Sequence, residues 1–299
     1  MSIKVENLTK IYGSQKALNS ISFEAQKGEI LGFLGPNGAG KSTTMKILTG
    51  YIPATSGKAF INETEINENS IHIRKEVGYL PELNPLYTDM YIKEYLLFIA
   101  NSYGIKEGAN QAAEEMISKT GLSLERKKKI NQLSKGYKQR VGLAAAMIHN
   151  PSVLILDEPT SGLDPNQVTE IRNLIKDIGK DKTVILSSHI MQEVEAMCSR
   201  VVIINKGKIV ADDKIENLQQ SFSKEYIISV QFKNSPTIEN LKTIDKNLNI
   251  VATKEGFTIT AKADIREKIA QKAAENNWLV LSMNLEESSL EEVFQRLTR

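Results

Sequence analysis

EILGFLGPNGAGKST, residues 29 to 43, joins an apolar strand-like run to a glycine-rich turn and then to a helix that begins near Lys41. Residues Gly35 to Thr43 satisfy the phosphate-loop pattern G-x-x-x-x-G-K-[ST], and a strand before and a helix after are the context that pattern requires. Gly35, Gly38 and Gly40, with Pro36, Asn37 and Ala39 between them, let the backbone turn its N–H groups inward around phosphate oxygens. The helix N-terminus adds the positive end of its dipole. Lys41 then reaches the β- and γ-phosphates, while Ser42, followed by Thr43, offers a hydroxyl to Mg²⁺. The plainer reading, a glycine-rich turn that only caps a helix, leaves the lysine and the hydroxyls without a task.

Further along the chain, VLILDEPTSGLD (Val153 to Asp164) places four apolar residues ahead of two carboxylates. This describes a buried strand that delivers Asp157 and Glu158 to the carboxyl edge of a sheet, where ligands of open α/β sheets bind. Asp157 suits Mg²⁺ through a water, and Glu158 suits polarising an attacking water. Other strand-like runs at Glu29 to Leu34, Thr183 to Leu186 and Val201 to Ile204 alternate with helical patterns and predict a largely parallel sheet. LSKGYKQRVGLAAAMIHNP, Leu133 to Pro151, reads as a helix capped by Ser134. Asp164 followed by Pro165 reads as another helix start.

Composition limits the function classes. The 299 residues are 41% hydrophobic and 25% charged, and 38 Lys plus Arg against 36 Asp plus Glu leave a net charge of +2. That balance gives no global field for gripping nucleic acid, so no nucleic-acid partner is expected. One cysteine and three histidines provide neither a disulfide nor a Cys/His zinc spacing. No run approaches the roughly 20 apolar residues that span a bilayer, and the N-terminus lacks a signal-peptide core. A cytoplasmic location is expected, with any membrane crossing done by another chain.

Ala211 closes the strand-and-helix pattern, giving a first domain over 1–211. The polar residues 212–224 read as a short helix or a linker. Residues 225–299 then read as a small α+β domain: strand Tyr226 to Phe232, helix Ser235 to Ile244, strands Asn249 to Thr253 and Gly256 to Ala261 turning at Lys254-Glu255-Gly256, helix Asp264 to Glu275, and strand Trp278 to Met283. That β-α-β-β-α-β order is ferredoxin-like. A final helix, Ser288 to Leu297, starts at a cap on Ser288 or Ser289.

The order of the motifs from Tyr12 to His189 resembles the ATP-binding cassette ATPases, whose signature LSGGQ stands where this chain has Leu133-Ser-Lys-Gly-Tyr137. The resemblance implies an α/β P-loop NTPase cassette with a helical signature subdomain at about 83–150, binding ATP and Mg²⁺ and hydrolysing ATP to ADP and phosphate. It implies that Tyr12 stacks on adenine, that Ser42, Glu82 and Asp157 serve the metal, that Glu158 is catalytic, and that His189 contacts the γ-phosphate. It further implies that two cassettes pack head to tail, as a homodimer or a heterodimer. Ser134 and Gly136 of one copy then face the phosphates held by Gly38 to Ser42 of the other, and Asp164 lies in the loop that crosses the dimer. Three positions depart from the pattern: Lys135 replaces the first of the paired glycines, Tyr137 a glutamine, and Glu82 a glutamine. Glu82 keeps an oxygen ligand but donates no hydrogen unless protonated. For Tyr12 a core tyrosine is the rival reading. The segment after Glu82 carries Tyr87, Tyr91, Tyr95, Phe98 and Tyr103, and the 4-4-3 spacing through Phe98 puts four of them on one helical face, an aromatic stripe that is either core or a contact for a membrane partner.

In such a family this chain is the energising subunit of an exporter, peripheral on the inner face of the cell membrane, and the permease is a separate polypeptide. LSKGY, GYLPE (Gly78 to Glu82) and the ending SSLEEVFQRLT resemble the branch with drug-resistance and sodium-export ATPases. The block Gly78 to Leu96 resembles the ATPase associated with gliding motility. The alternative is a non-transport cassette ATPase of translation or repair, although those carry paired cassettes or long coiled-coil insertions that are not found here. A P-loop GTPase is excluded by Asn205-Lys206-Gly207-Lys208, which lacks the aspartate of N-K-x-D.

Overall fold

Two alternating stretches, β1 (Ile3–Tyr12) and β2 (Gln15–Ala25), form the first hairpin of the chain. The structure is a computed structural model and describes residues 1–67, 70–222, 226–234, 236–245, 248–253, 256–286 and 289–299. β3 (Ile30–Leu34) and α1 (Lys41–Leu48) follow, then β4 (Ser56–Ile61) and β5 (Thr64–Glu65), which join the hairpin in an antiparallel sheet of order β2-β1-β4-β5. This sheet has no counterpart in the parallel pattern read from the sequence. Its strands alternate between buried and half-exposed residues, so their one-sided apolar face is legible only once a second layer covers it.

β6 (Val77–Leu80) leads into three helices, α2 (Ile92–Ser102), α3 (Ala109–Lys119) and α4 (Lys135–Met147), which occupy the region expected to be a helical subdomain. The chain then alternates through β7 (Val153–Asp157), α5 (Pro165–Gly179), β8 (Thr183–Ser187), α6 (Met191–Met197), β9 (Arg200–Asn205) and β10 (Lys208–Lys214). The central sheet has the order β10-β9-β3-β8-β7-β6, and every pairing in it is parallel except that of β10 with β9. All five residues of β7 and of β8 are buried, as strands covered on both faces must be. Register sets the site: Ser187 of β8 lies beside Phe33 of β3 and beside Asp157 of β7, so these three strands end in one row. Leu31, Phe33, Met45, Leu48, Ile155, Ile185 and Val202 share one core with Ile3, Leu8, Leu18 and Phe23 of the antiparallel sheet. Each such fully buried side chain contributes roughly 1.5–3 kcal/mol relative to exposure.

Residues 212–224, read as lacking strand character, begin as strand. Asp212, Asp213 and Lys214 pair with Val202, Val201 and Arg200, and Arg200 forms an ion pair with Asp212 at 2.6 Å. An edge strand tolerates such polar residues because one side of it faces water. α7 (Ile215–Phe222) follows, and residues 223–225 lie outside the described residues.

The chain divides into two units, one of Met1–Ile215 with Phe294–Arg299 and one of Glu216–Val293. The second contains β11 (Tyr226–Phe232), α8 (Ile238–Lys242), β12 (Asn249–Ala252), β13 (Phe257–Ala261), α9 (Arg266–Glu275) and β14 (Val280–Glu286). Its antiparallel sheet has the order β12-β13-β11-β14, the split β-α-β arrangement that the ferredoxin-like order requires. Ile228, Val230, Phe257, Ile259, Leu241 and Ile269 form its own core. α8 is shorter than the expected helix because Thr237 caps it, accepting from Asn240 N at 3.2 Å. Ser235 and the turn residues Lys254 and Glu255 lie outside the described residues. So does Ser288. Ser289 accepts from Glu292 N at 3.3 Å at the start of α10 (Leu290–Thr298). The end of α10 returns to the first unit, where Asn205 Nδ2 donates to Thr298 O at 3.2 Å. The boundary expected at 225–299 therefore differs at both ends.

Candidate functional site

The glycine turn leaves β3 at Gly35 and reaches α1 at Gly40. Gly40 has φ +115°, and a Cβ there would meet Leu18 Cδ2 at 2.7 Å and Ala17 O at 2.8 Å, so neither the conformation nor the space admits another residue. Lys41 Nζ donates to Gly35 O at 2.6 Å and to Pro36 O at 3.3 Å, which fastens the loop around its own lysine. Burial lowers the Lys41 pKa, and the carboxylates Glu158, Asp157 and Glu82 oppose that shift. One ammonium thus faces three carboxyl groups contributed by two separate segments, the end of β7 and the turn after β6.

Asp157 ends β7 and is buried, accepting a hydrogen bond from Ser187 Oγ of β8. The next residue turns sharply. Glu158 has φ +52°, a left-handed conformation that a non-glycine residue adopts at a local cost, and its N–H donates to Ser187 O at 3.1 Å. The turn aims its carboxylate at His189, whose Nδ1 lies 2.7 Å from Glu158 Oε2. Burial raises the Glu158 pKa above the ordinary carboxyl value, and His189 and Lys41 pull it back down.

These groups line one cavity of about 690 Å³ together with Tyr12, Gln15, Ala17, Asn37, Gly38, Gly40, Ser42, Thr43, Glu82 and Ser161. Tyr12 is 47% exposed, with Lys10 Nζ 5.4 Å from its ring centre, which disposes of the core reading for that residue. Gly35, Pro36 and Ala39 shape the loop from behind and do not line the cavity. Gln15 and Ala17 have no signal in the sequence, whereas Ser161 opens the SGLD stretch, Ser161 to Asp164, that resembles the loop crossing the dimer. Gln15 and Ala17 follow Tyr12 in the hairpin, a neighbourhood that only the strand pairing reveals.

Ser134, Gly136 and Asp164 lie away from this cavity. Ser134 caps α4, accepting from Tyr137 N at 3.4 Å, and Asp164 caps α5, accepting from Gln167 N at 3.0 Å, with Pro165 at the first helical position. The two caps are packed together: the Lys135 side chain covers Gly162, and the Gln167 side chain covers Gly136. Tyr137 stacks under the Arg140 guanidinium at 5.8 Å. Arg140 in turn donates to Thr120 O at 3.0 Å and to the Glu170 carboxylate, tying α4 to α3 and α5. Of the departures, Lys135 thus packs against the turn at Gly162, and Tyr137 against Arg140 of its own helix.

The aromatic stripe divides. Tyr95 is buried in the core, and Tyr103 stacks on His149 with ring centres 3.7 Å apart. Tyr87, Tyr91 and Phe98 are exposed, as is Leu83. Leu83, Tyr51, Tyr79, Tyr95 and Tyr103 line a second cavity of about 480 Å³ with Lys46.

Known proteins resemble this chain over most of its length. The family model described as ABC transporter matches residues 18–161. The bacitracin transport ATP-binding protein BcrA of Bacillus licheniformis is 34% identical over 297 residues, covering 99% of this chain and 96% of that protein. The linearmycin resistance ATP-binding protein LnrL of Bacillus subtilis is 32% identical over 304 residues, covering 99% and 98%. Among solved structures, a dimeric ATP-binding cassette in a post-hydrolysis state bound to ADP and phosphate matches with a TM-score of 0.66 at 27% identity, covering 71% of this chain and 98% of that one. The phosphate loop, the paired carboxylates and this likeness over nearly the whole chain make it a member of the ABC transporter family, an ATP-binding subunit that hydrolyses ATP.

Proposed function

We propose that the chain energises export by a separately encoded membrane permease, and that the compounds exported belong to the antibiotic class handled by its full-length relatives. The geometry that carries the hydrolytic part is the contact of Glu158 with His189 in the cavity that also holds Lys41. Glu158 takes a proton from the water that attacks the γ-phosphate, a form of general-base help worth about 10²- to 10⁴-fold. His189 holds the Glu158 carboxylate from its exposed side. Lys41 offsets charge on the β- and γ-phosphates, and the backbone N–H groups of Gly38 to Ser42 bind them. The exposed ring of Tyr12 receives the adenine.

The oxygen donors fit Mg²⁺: Ser42 brings a hydroxyl, and Asp157 and Glu82 bring carboxylates into the same cavity. Among the described residues no group of three His, Cys, Asp or Glu side chains could hold a metal alone. Bound Mg²⁺ would be held by these donors together with phosphate oxygens of the nucleotide, the usual pattern for this ion. When bound, Mg²⁺ supplies charge neutralisation on the transferring phosphoryl group. Ser134, Gly136 and Asp164, remote from their own chain's cavity, serve the nucleotide of a second cassette.

Among the described residues no helix is long and apolar enough to cross a membrane. The aromatic cavity beside Leu83 is the surface offered to the permease. The test is reconstitution with a candidate permease, a multi-span membrane protein that carries no cassette of its own. Efflux of a bacitracin- or linearmycin-type antibiotic from those membranes should require Mg-ATP and vanish with Glu158→Gln. A chain that hydrolyses ATP yet never associates with that membrane protein would overturn the transport reading and leave the ATPase standing.

A further inference from the structure

Glu193 sits in α6 with 3% of its surface exposed, and none of the chemistry above uses it. Its partners are two hydroxyls. Thr160 Oγ1 donates to Glu193 Oε2, and Ser188 Oγ donates to the same oxygen at 3.5 Å. Thr160 and Ser188 are themselves buried. A carboxylate is costly to bury unless its oxygens accept hydrogen bonds, and fully satisfied buried polar groups rigidify what they connect.

The two segments connected here matter. Thr160 follows Glu158 by two residues and opens the turn in which Leu163 N donates to Thr160 O at 3.2 Å. Ser188 immediately precedes His189, and its hydroxyl also accepts from Ile190 N at 3.1 Å. Glu193 N closes the same turn by donating to Ile190 O at 3.1 Å. One carboxylate oxygen therefore fastens both backbone segments whose side chains meet at 2.7 Å as Glu158 and His189. A cluster serving stability alone has no reason to bridge these two segments, since apolar groups of the same shape stabilise a core about as well.

We propose that Glu193 is a positioning residue for ATP hydrolysis, acting through Thr160 and Ser188 to hold Glu158 and His189 in register. The proposal rests on the reading of that pair as the hydrolytic machinery. Misplacement of reacting groups by about 1 Å costs up to about 100-fold in rate, and Glu193 controls such a displacement without touching the nucleotide.

The test uses the full chain with Mg-ATP and four variants: Glu193→Ala, Glu193→Gln, Thr160→Val and, as reference, Glu158→Gln. Glu193→Ala is expected to lower kcat about 10- to 100-fold while KM and nucleotide affinity stay within about twofold. Glu193→Gln keeps an acceptor oxygen for both hydroxyls and should recover most of the rate. Thr160→Val should lower kcat alone and add little on top of Glu193→Ala, as members of one network do. The proposal fails if Glu193→Ala turns over at the parent rate, or if alanine and glutamine cost the same, or if kcat falls only with the folded fraction. Should Glu193→Ala not fold, Thr160→Val at the parent kcat overturns it equally. A fully active Glu158→Gln would sink the hydrolytic reading and the inference with it. An inactive Glu158→Gln beside an active Glu193→Ala would sink the inference alone.

Discussion

His189 Nδ1 stands 2.7 Å from Glu158 Oε2, and the histidine side chain is largely open to solvent while that of the glutamate is largely covered. This asymmetry sets the electrostatics of the pair. Withdrawal from water raises the Glu158 pKa most, and His189 is the first of the groups that oppose the rise. A carboxylate so placed is a stronger base than an exposed one, which is what a group that must accept a proton from water needs.

The acid limb of kcat should therefore lie above pH 4.5, the ordinary value for this carboxyl. His189→Ala removes the hydrogen-bond partner that lowers the Glu158 pKa, so the limb of the remaining activity should move to higher pH. Steady-state kcat measured across pH for both proteins checks this. A limb that stayed in place, or moved down, would contradict the assignment of Glu158 as the titrating base.

Stability should respond in the opposite sense to activity. A carboxyl whose folded pKa exceeds its unfolded value contributes stability that is full below about pH 4.5 and is lost as pH rises through the folded value. At pH 7.5 the parent chain carries that loss, and Glu158→Gln does not. The variant should melt at a higher temperature at pH 7.5, and the difference should shrink as the pH approaches 4.5. Thermal midpoints at the two pH values read it directly, and equal midpoints at pH 7.5 would mean that burial of this charge costs nothing.

Tyr12 offers a test of base recognition. Stacking of a base on an aromatic ring is worth about 1–3 kcal/mol, roughly 5- to 150-fold in affinity. Tyr12→Ala should weaken ATP binding within that range, Tyr12→Phe should preserve it, and the half-exposed ring predicts little loss of folding stability for either. Titration with a fluorescent nucleotide separates the two variants. Equal affinities would remove Tyr12 from the binding surface.

Legibility in the sequence followed locality. The phosphate loop was readable because Gly35 to Thr43 are consecutive, and Asp157 and Glu158 because four apolar residues precede them. The Glu158–His189 contact depends on register between β7 and β8, which no local pattern reports. Glu193 escaped notice for the same reason, being 33 residues from the hydroxyl that it accepts from. The return of Phe294–Arg299 to the first unit was hidden because an amphipathic helix announces an apolar face without naming its partner. Tyr12 and Tyr95 are the same residue type told apart by burial, and burial is decided by the layers around them.

That difference separates core from contact along the aromatic stripe. Tyr95 is 6% exposed, and Tyr95→Ala should cost about 3–5 kcal/mol of stability, as for other large aromatic truncations. Leu83 is 85% exposed and borders the same cavity. A change there should stay within about 0.5 kcal/mol, the usual range for surface positions. Yet an apolar side chain held in water beside exposed aromatics is the kind of surface that a membrane partner covers. Leu83→Ser should therefore leave the thermal midpoint unchanged and reduce copurification with a candidate multi-span permease, while ATP binding by the isolated chain persists. Unimpaired copurification with a lowered midpoint would place Leu83 in the fold and move the docking surface elsewhere.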